Sequence, residues 1–152
     1  MFKRNPLAGF GCLTKATEKD LIEKKHELKI LNASAKGLYA EGEIQQDLKK
    51  FMPDFDITAF LACVRNLKNK GIFKVHPNVS EARDERKAML EVEIKMLEYR
   101  LALLKAPSKD VDEYAVIEAL ATKERVDTPL FLRVLAEFQK ANIFFPVTQR
   151  AP

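Results

Sequence analysis

An internal repeat constrains this chain more than any other feature. Residues 43–75 and 115–147 read alike, and several of their positions coincide in kind at an offset of 71. In each copy the second helix is followed by Gly or Asn, the residues that best adopt the left-handed conformation that closes a helix. The sequence therefore predicts two copies of one unit, each a helix, a turn, a second helix, a cap and a short apolar strand. The matched positions are Asp56 and Asp127, Phe60-Leu61 and Phe131-Leu132, Val64 and Leu135, Leu67 and Phe138, and Gly71-Ile72-Phe73 and Asn142-Ile143-Phe144.

The helices of each copy have their own start signals. The first copy predicts a helix over 41–51, a turn over 52–55, and a second helix from an N-cap at Asp56 to about Lys70. The second copy predicts a helix from Tyr114 to about Lys123. It then predicts a helix opened by Thr128-Pro129, with the proline in the first helical position, where it is tolerated.

A long central helix is predicted between the two copies. Ser80 is a suitable N-cap, and Pro107 stops the helix after Ala106. Apolar residues follow a 4-3-4-3 spacing, which is typical either of a core helix or of a coiled-coil seam between two chains. Both alternatives stay open from the sequence. The seam, and the candidate self-association surface, consists of Leu90, Ile94, Leu97, Leu101 and Leu104.

The chain before the first copy divides into an arm and a helix. Asn5-Pro6 and Gly9 break regular structure, so residues 1–13 are predicted to form an irregular arm that either packs on its own domain or a partner or stays disordered. Thr14 or Thr17 is predicted to cap a helix that runs to about Ala35, with Gly37 as its C-cap. The predicted segments are thus an arm (1–13), an N-terminal helix (14–36), a first unit (38–79), the central helix (80–106) and a second unit (110–152).

Composition favours a soluble helical protein inside the cell. No signal peptide and no apolar run of membrane-spanning length is found, and two cysteines do not make a disulfide framework. We therefore expect an intracellular location, either cytoplasmic or nucleoid-associated. The net charge of +4 equals the excess in residues 1–40, which hold eight Lys/Arg against four Asp/Glu, whereas residues 107–152 are slightly acidic. Such a gradient favours an anionic partner near the N-terminus.

The stretch from Arg65 to Val75 resembles the end of a winged-helix recognition helix entering the first wing strand. The stretch from Leu135 to Phe144 is similar, so the layout resembles a tandem winged-helix protein. This resemblance implies a mainly α fold with short β-strands, in which two helix-turn-helix units are joined by the central helix. Val75-His76-Pro77-Asn78 leads almost directly into Ser80, so the wings are expected to be short or missing, which argues against a contact of a wing with the minor groove.

Winged-helix-like units bind DNA through their second helix in the major groove, or they serve as protein-interaction modules in larger assemblies. In the first unit, arginine and asparagine side chains on the second helix suit guanine and adenine edges, and lysines suit phosphates. The alternative for these residues is an ordinary solvated helix face. The candidate nucleic-acid-binding residues are Lys49, Lys50, Thr58, Arg65, Asn66, Lys68, Asn69, Lys70 and Lys74.

The sequence favours a non-enzymatic binding protein. His26 and His76 stand apart, no Cys/His cluster has metal-ligand spacing, and no phosphate-binding glycine loop is present, so neither a cofactor nor a metal is expected. Our first hypothesis is a small DNA-binding regulator that acts as a monomer or as a dimer. The second is an adaptor or assembly subunit that contacts a protein through the central helix, the apolar arm or the second unit, which is net acidic.

Overall fold

The structure, a computed structural model, describes residues 1–35, 41–70, 79–106 and 110–147, with the backbone alone for 79–82. Within these ranges the chain is mainly helical with three short strands, which confirms the predicted fold class. The elements are β1 (Phe2–Arg4), α1 (Phe10–Ala35), α2 (Glu41–Phe51), α3 (Ile57–Asn69), α4 (Val79–Leu104), β2 (Asp110–Val111), α5 (Glu113–Ala121), α6 (Thr128–Lys140) and β3 (Phe144–Pro146).

The chain divides into two compact units. The middle unit comprises residues 19–95, and the terminal unit comprises residues 1–18 and 96–152. The division falls within α1 and within α4, so each long helix contributes residues to both units. Each unit has its own apolar core. Phe60 and Leu67 are central to the core of the middle unit, and Phe131 and Phe144 to that of the terminal unit.

Aspartate N-caps start three of the four short helices that were predicted, α3, α5 and α6. The Asp56 carboxylate accepts a hydrogen bond from the Ala59 N–H, and the Asp127 carboxylate accepts one from Leu130. Asp112 caps α5 in the same way. The predicted bounds of α2 are confirmed, and Pro129 lies in the first turn of α6 as expected. These caps satisfy backbone donors that a helix start would otherwise leave without a partner.

The end of α6 confirms the predicted left-handed cap. Asn142 has φ 60°, its N–H donates to the Gln139 carbonyl, and the next N–H, of Ile143, donates to the Phe138 carbonyl. This pair of bonds is a Schellman motif, which turns the chain sharply out of the helix and into β3. The corresponding turn and strand predicted at Gly71 to Val75 lie outside the described residues, as does the predicted cap at Gly37.

The start of α1 differs from the prediction. The helix begins at Phe10, so Thr14 and Thr17 lie inside it and are not caps. Their hydroxyls donate to the carbonyls of Phe10 and Leu13, four residues earlier. Such back-bonding gives a mid-helix threonine a partner without ending the helix. Ser80 likewise lies in the first turn of α4, which begins at Val79, so it is not the N-cap that the sequence predicted.

The predicted irregular arm is wrong over Phe2 to Arg4, because these residues form the middle strand of an antiparallel sheet ordered β2-β1-β3. Phe2 lies opposite Val111 in β2, and Lys3 lies opposite Phe145 in β3. The Arg4 side chain donates to the Ala106 carbonyl, and the Phe10 ring packs edge-on against Phe144 at 5.5 Å. The arm is therefore part of the terminal unit.

Proline closes the outer edge of β3. The Val147 N–H donates to the Met1 carbonyl, and the Asn5 N–H donates to the Ile143 carbonyl, so the backbone of every second residue faces β1. Pro146 falls between these positions, and its nitrogen therefore faces away from β1. Because proline has no N–H to offer, a further strand is poorly accepted at this edge.

The repeat extends further upstream than the sequence comparison indicated, because the long helices α1 and α4 begin the two copies. Buried residues of α1 and α4 match at an offset of 73, those of α2 and α5 at 72, and those of α3 and α6 at 71. The offset falls by one at each connection, which loop lengths readily accommodate. The buried or half-buried matches are His26 and Tyr99, Ile30 and Leu103, Leu31 and Leu104, Ile44 and Val116, Leu48 and Leu120, Phe60 and Phe131, Val64 and Leu135, and Leu67 and Phe138.

Candidate nucleic-acid interface

The surface of α3 that faces away from the core carries most of the predicted contact residues. Thr58, Arg65 and Asn69 lie close to one line along the helix, because steps of seven and four residues nearly complete whole turns. Leu61, 43% exposed, lies between them. Six of the candidate residues lie on α3 or at its C-cap, and all six are exposed: Thr58, Arg65, Asn66, Lys68, Asn69 and Lys70. We call this surface the α3 face.

Arg65 is a cation of the α3 face that is available to a ligand. It is exposed, and no described carboxylate lies within ion-pair distance of its guanidinium. A guanidinium presents a planar fork of donors that matches two acceptors on a guanine edge. Asn69, one turn further along, is also exposed and offers the amide that matches adenine. These two side chains are therefore placed to read neighbouring bases.

Lys68 has a second role that the sequence did not indicate. Its ammonium lies 3.1 Å from the Glu41 carboxylate at the start of α2. Both side chains are substantially exposed, so this pair contributes little to stability. The carboxylate nevertheless offsets part of the charge that Lys68 would offer to a phosphate.

Two further candidate lysines lie at the end of α2. The Lys49 ammonium is 5.9 Å from the centroid of the Phe55 ring, and the Lys50 ammonium is 5.3 Å from that of Phe51. Such cation–π contacts bias the position of a flexible lysine while leaving its charge in water. Lys49 and Lys50 are exposed and remain candidates for phosphate contacts. Lys74 lies outside the described residues.

A buried histidine fixes the start of α3 to α1. His26 is fully buried, its Nδ1 is 2.7 Å from the Ile22 carbonyl oxygen, and its Nε2 accepts the Asp56 N–H at 2.8 Å. An acceptor at Nε2 and a donor at Nδ1 identify the neutral tautomer with the proton on Nδ1. In the second copy, the Tyr99 hydroxyl accepts the Asp127 N–H at 3.0 Å in the same way. A polar aromatic side chain of the long helix therefore holds the cap of the last helix in both copies.

A buried ion pair joins α1 to α4 within the middle unit. The Arg86 guanidinium donates to both Glu27 oxygens, at 2.5 and 3.2 Å, and its side chain and that of Glu27 are mostly buried. The hydrogen bond to Glu27 raises the pKa of Arg86 further. Glu93 lies 3.7 Å from the same guanidinium. This pairing keeps two charges satisfied beside the core on which α3 rests.

Cys63 belongs to the core of the middle unit. It is 4% exposed, and its thiol donates to the Glu23 carbonyl at 3.1 Å. Burial, with a smaller effect of the neighbouring Glu27 and Glu23 charges, raises the pKa of the thiol to about 12. The thiol therefore stays protonated at neutral pH and is a poor nucleophile and metal ligand. Cys12, by contrast, is exposed.

The candidate self-association seam is covered by the chain itself. Leu90, Ile94, Leu97 and Leu104 are buried, and Leu101 is half-buried. This burial favours the core-helix alternative, and the self-association interpretation stays a prediction. Met89 and Val92, which lie off the seam, are the exposed large apolar residues of α4 among those described.

The basic N-terminal segment is divided between the two units. Residues 1–18 belong to the same unit as the acidic C-terminal segment, and residues 19–40 belong to the middle unit. Residues 19–95 hold 15 Lys/Arg against 13 Asp/Glu, and the remaining residues hold 11 against 9, so each unit carries a net charge of +2. The favourable charges for an anion are therefore local, on the α3 face and the end of α2.

The corresponding face of α6 has a different chemistry. Pro129, Leu132 and Ala136 are exposed on it, and Ala136 stands where α3 has Arg65. Arg133 is 3.7 Å from Glu137, whose carboxylate also accepts from Arg100 at 3.2 Å. This face offers apolar surface and paired charges, and is less suited to phosphates than the α3 face.

Two negative findings bear on other functions. Among the residues that the structure describes, no three His, Cys, Asp or Glu side chains lie close enough together to hold a metal ion. None of the helices within those residues combines the length and apolarity that crossing a membrane requires.

Sequence reasoning missed β1, β2 and the histidine and tyrosine that hold the helix caps. The first two form pairs with residues more than 100 positions away, which leave no local signal. His26 and Tyr99 had a signal, since extending the repeat comparison upstream aligns them. Comparison of the chain with protein-family models, with curated proteins and with solved structures found no match.

Proposed function

We propose that this protein is a non-enzymatic DNA-binding regulator that contacts the major groove of double-stranded DNA through the α3 face. The observation that carries the proposal is the alignment of exposed Thr58, Arg65 and Asn69 on the side of α3 opposite its buried residues. A helix whose donors line one exposed side, flanked by lysines, suits a groove lined by base edges and phosphates. Leu61 on the same side suits the methyl group of thymine.

The arrangement of the second copy supports a winged-helix-like architecture. A complete wing needs a second strand beside the strand that follows the recognition helix. In the terminal unit β1 lies antiparallel to β3, which follows α6, so a strand from the start of the chain occupies that position. We propose that the N-terminal strand substitutes for the missing half of the wing.

A second candidate function, a protein-interaction adaptor, is favoured by the α6 face. Leu132 is 47% exposed, and Pro129 and Ala136 lie beside it without charge. In this alternative, the second copy contacts a protein while the first copy either contacts DNA or remains solvated.

With its two free cysteines, one of them exposed, the protein suits a reducing intracellular compartment in either function.

Site selection from a random duplex pool tests the proposal. The full chain is used to enrich bound duplexes, and affinities for the enriched duplex and an unrelated one are measured by fluorescence anisotropy. We expect Arg65→Ala to weaken binding to the enriched duplex by about tenfold or more and to affect the unrelated duplex much less, because base contacts carry specificity. Lys70→Ala should weaken both duplexes similarly, because phosphate contacts are not sequence-specific.

Arg133→Ala is the matched control, because it removes the same charge from the corresponding helix of the second copy. It should leave both affinities nearly unchanged. Failure to enrich any sequence, or an equal loss from Arg65→Ala and Arg133→Ala, would contradict the proposed role of the α3 face.

A further inference from the structure

Each unit has a groove at the same place in the repeat, between the last turns of the long helix and the second helix. The α5 groove, in the terminal unit, has a volume of about 400 Å³, and the α2 groove, in the middle unit, about 370 Å³. At the offsets of 73 and 72 that match the buried residues, six lining positions coincide. They are Ala102 and Lys29, Lys105 and Asn32, Ala106 and Ala33, Ala119 and Asp47, Leu120 and Leu48, and Lys123 and Phe51.

The two grooves differ in chemistry. At the positions where the α2 groove has Lys29, Asn32 and Asp47, the α5 groove has Ala102, Lys105 and Ala119. Apart from Asp112 and Lys123, the remaining walls of the α5 groove are alanine, valine and leucine. The fold therefore tolerates a polar lining at this place, and packing does not require the apolar lining of the α5 groove. A concave, mostly apolar site of this volume with a few polar groups at its rim is typical of small-molecule binding.

The charges of the α5 groove favour an anion. Its charged lining residues are Lys105, Lys123 and Asp112. The Asp112 carboxylate is engaged by the Tyr114 N–H at the start of α5, and Lys105 pairs with Glu18 at 2.6 Å. No described carboxylate lies within ion-pair distance of the Lys123 ammonium. Lys123 is therefore the cation of this groove that is available to a ligand.

We propose that the α5 groove binds a small amphiphilic carboxylate, with its alkyl chain against Ala102, Ala115 and Ala119 and its carboxylate at Lys123. The alanines leave room that larger side chains would fill, and the apolar walls exclude water from the chain. The Lys123 ammonium, on the lining of the groove, pairs with the carboxylate. The binding of this ligand does not depend on the proposed DNA-binding function.

Titration of the full chain with straight-chain carboxylates, in the absence of DNA and below their micelle-forming concentrations, tests this site. Calorimetry with hexanoate, octanoate and decanoate should give one saturable site whose affinity rises about fourfold with each added methylene, because each methylene is buried. Decanol, which has the chain but not the charge, should bind more weakly than decanoate. Lys123→Ala should remove that difference while leaving decanol binding unchanged.

Ala119→Phe should abolish decanoate binding, because the ring fills the groove. Ala136→Phe is the matched control, since it adds the same ring to an exposed alanine of α6 outside the groove. Circular dichroism of both variants establishes that they remain folded, and Lys123→Ala tests the site if Ala119→Phe does not fold. Absence of saturable binding, lack of dependence on chain length, or unchanged binding in a folded Ala119→Phe variant would overturn the proposal.

Discussion

At the scale of single residues, the two copies use different side chains for the same task. His26 and Tyr99 each accept the backbone N–H of the aspartate that caps the last helix of their copy. Both acceptor side chains are fully buried. These positions illustrate that a repeat conserves the need for an acceptor without conserving the residue.

Removing either acceptor should therefore destabilise the protein by a similar amount. We expect Tyr99→Phe and His26→Leu each to lower the free energy of unfolding by about 0.5–1.5 kcal/mol, because each removes the hydrogen bond that holds the cap of the last helix. Urea denaturation followed by circular dichroism measures the change. Tyr114→Phe is a control for the loss of a hydroxyl, since Tyr114 is 70% exposed and should change stability little. Loss of less than a few tenths of a kcal/mol from both variants would contradict this account.

The two cysteines should differ sharply in reactivity. A disulfide reagent at pH 8 should modify one thiol of the native protein quickly, that of exposed Cys12, and the thiol of Cys63 only on unfolding. Cys12→Ser should leave no rapidly reacting thiol. Rapid modification of two thiols in the native protein would show that Cys63 is accessible.

The raised pKa of Cys63 also predicts how stability depends on pH. Its pKa rises from 9.0 to about 12 on folding, so the thiol is protonated in both states below about pH 9. Above that pH, the unfolded chain loses the proton while the folded chain retains it, and stability falls between about pH 9 and pH 12. The fall should be shallower in Cys63→Ala, as measured by urea denaturation across this range. Equal slopes in the two proteins would contradict the assignment.

At the scale of the elements, a buried ion pair holds two helices together, and the order of the strands holds the N-terminal strand in the sheet. The bidentate pair of Glu27 and Arg86 joins α1 to α4, and removing one partner leaves the other charge buried. We expect Glu27→Gln and Arg86→Met each to cost about 3 kcal/mol of unfolding free energy. The double variant should cost less than the sum, and strict additivity in this double-mutant cycle would rule out a direct interaction.

The middle strand of the sheet offers a backbone test. Lys3 lies opposite Phe145 at a position whose N–H faces β3. Lys3→Pro removes that donor and should lower the unfolding free energy by about 1–3 kcal/mol, whereas Lys3→Ala keeps it and should have little effect. Equal stabilities of the two variants, measured by urea denaturation, would show that β1 does not hold its place in the sheet.

Local chemistry explains which elements the sequence predicted well. Asp56, Pro129 and Asn142 act through hydrogen bonds and dihedral preferences within a few residues, so their roles are legible without the fold. The strand at Phe2 was not predictable, because its partners Val111 and Pro146 are distant in sequence and each pairing is short. The prediction of an N-cap at Thr14 or Thr17 was wrong because a threonine hydroxyl can also donate to a carbonyl inside a helix.

At the scale of the whole molecule, burial and charge depend on tertiary contacts that periodicity does not reveal. The spacing of Leu90, Ile94 and Leu97 fits a seam between chains as well as a core, and only the packing of the chain distinguishes them. The candidate α3 residues were predictable as a set, because apolar spacing identifies the opposite face. The pairing of Lys68 with Glu41 and the even charge of the two units were not predictable from position along the sequence.

Binding of the purified full chain to mixed duplex DNA, measured by fluorescence anisotropy across a salt series, tests the central claim most directly. If three or four of the exposed lysines around the α3 face contact phosphates, log affinity should fall with log salt concentration with a slope of about −3 to −4. Lys70→Ala should weaken this binding, because phosphate contacts are not sequence-specific, and Arg133→Ala should not. An absence of binding at low salt would contradict the DNA-binding account and leave the protein-interaction function to be tested.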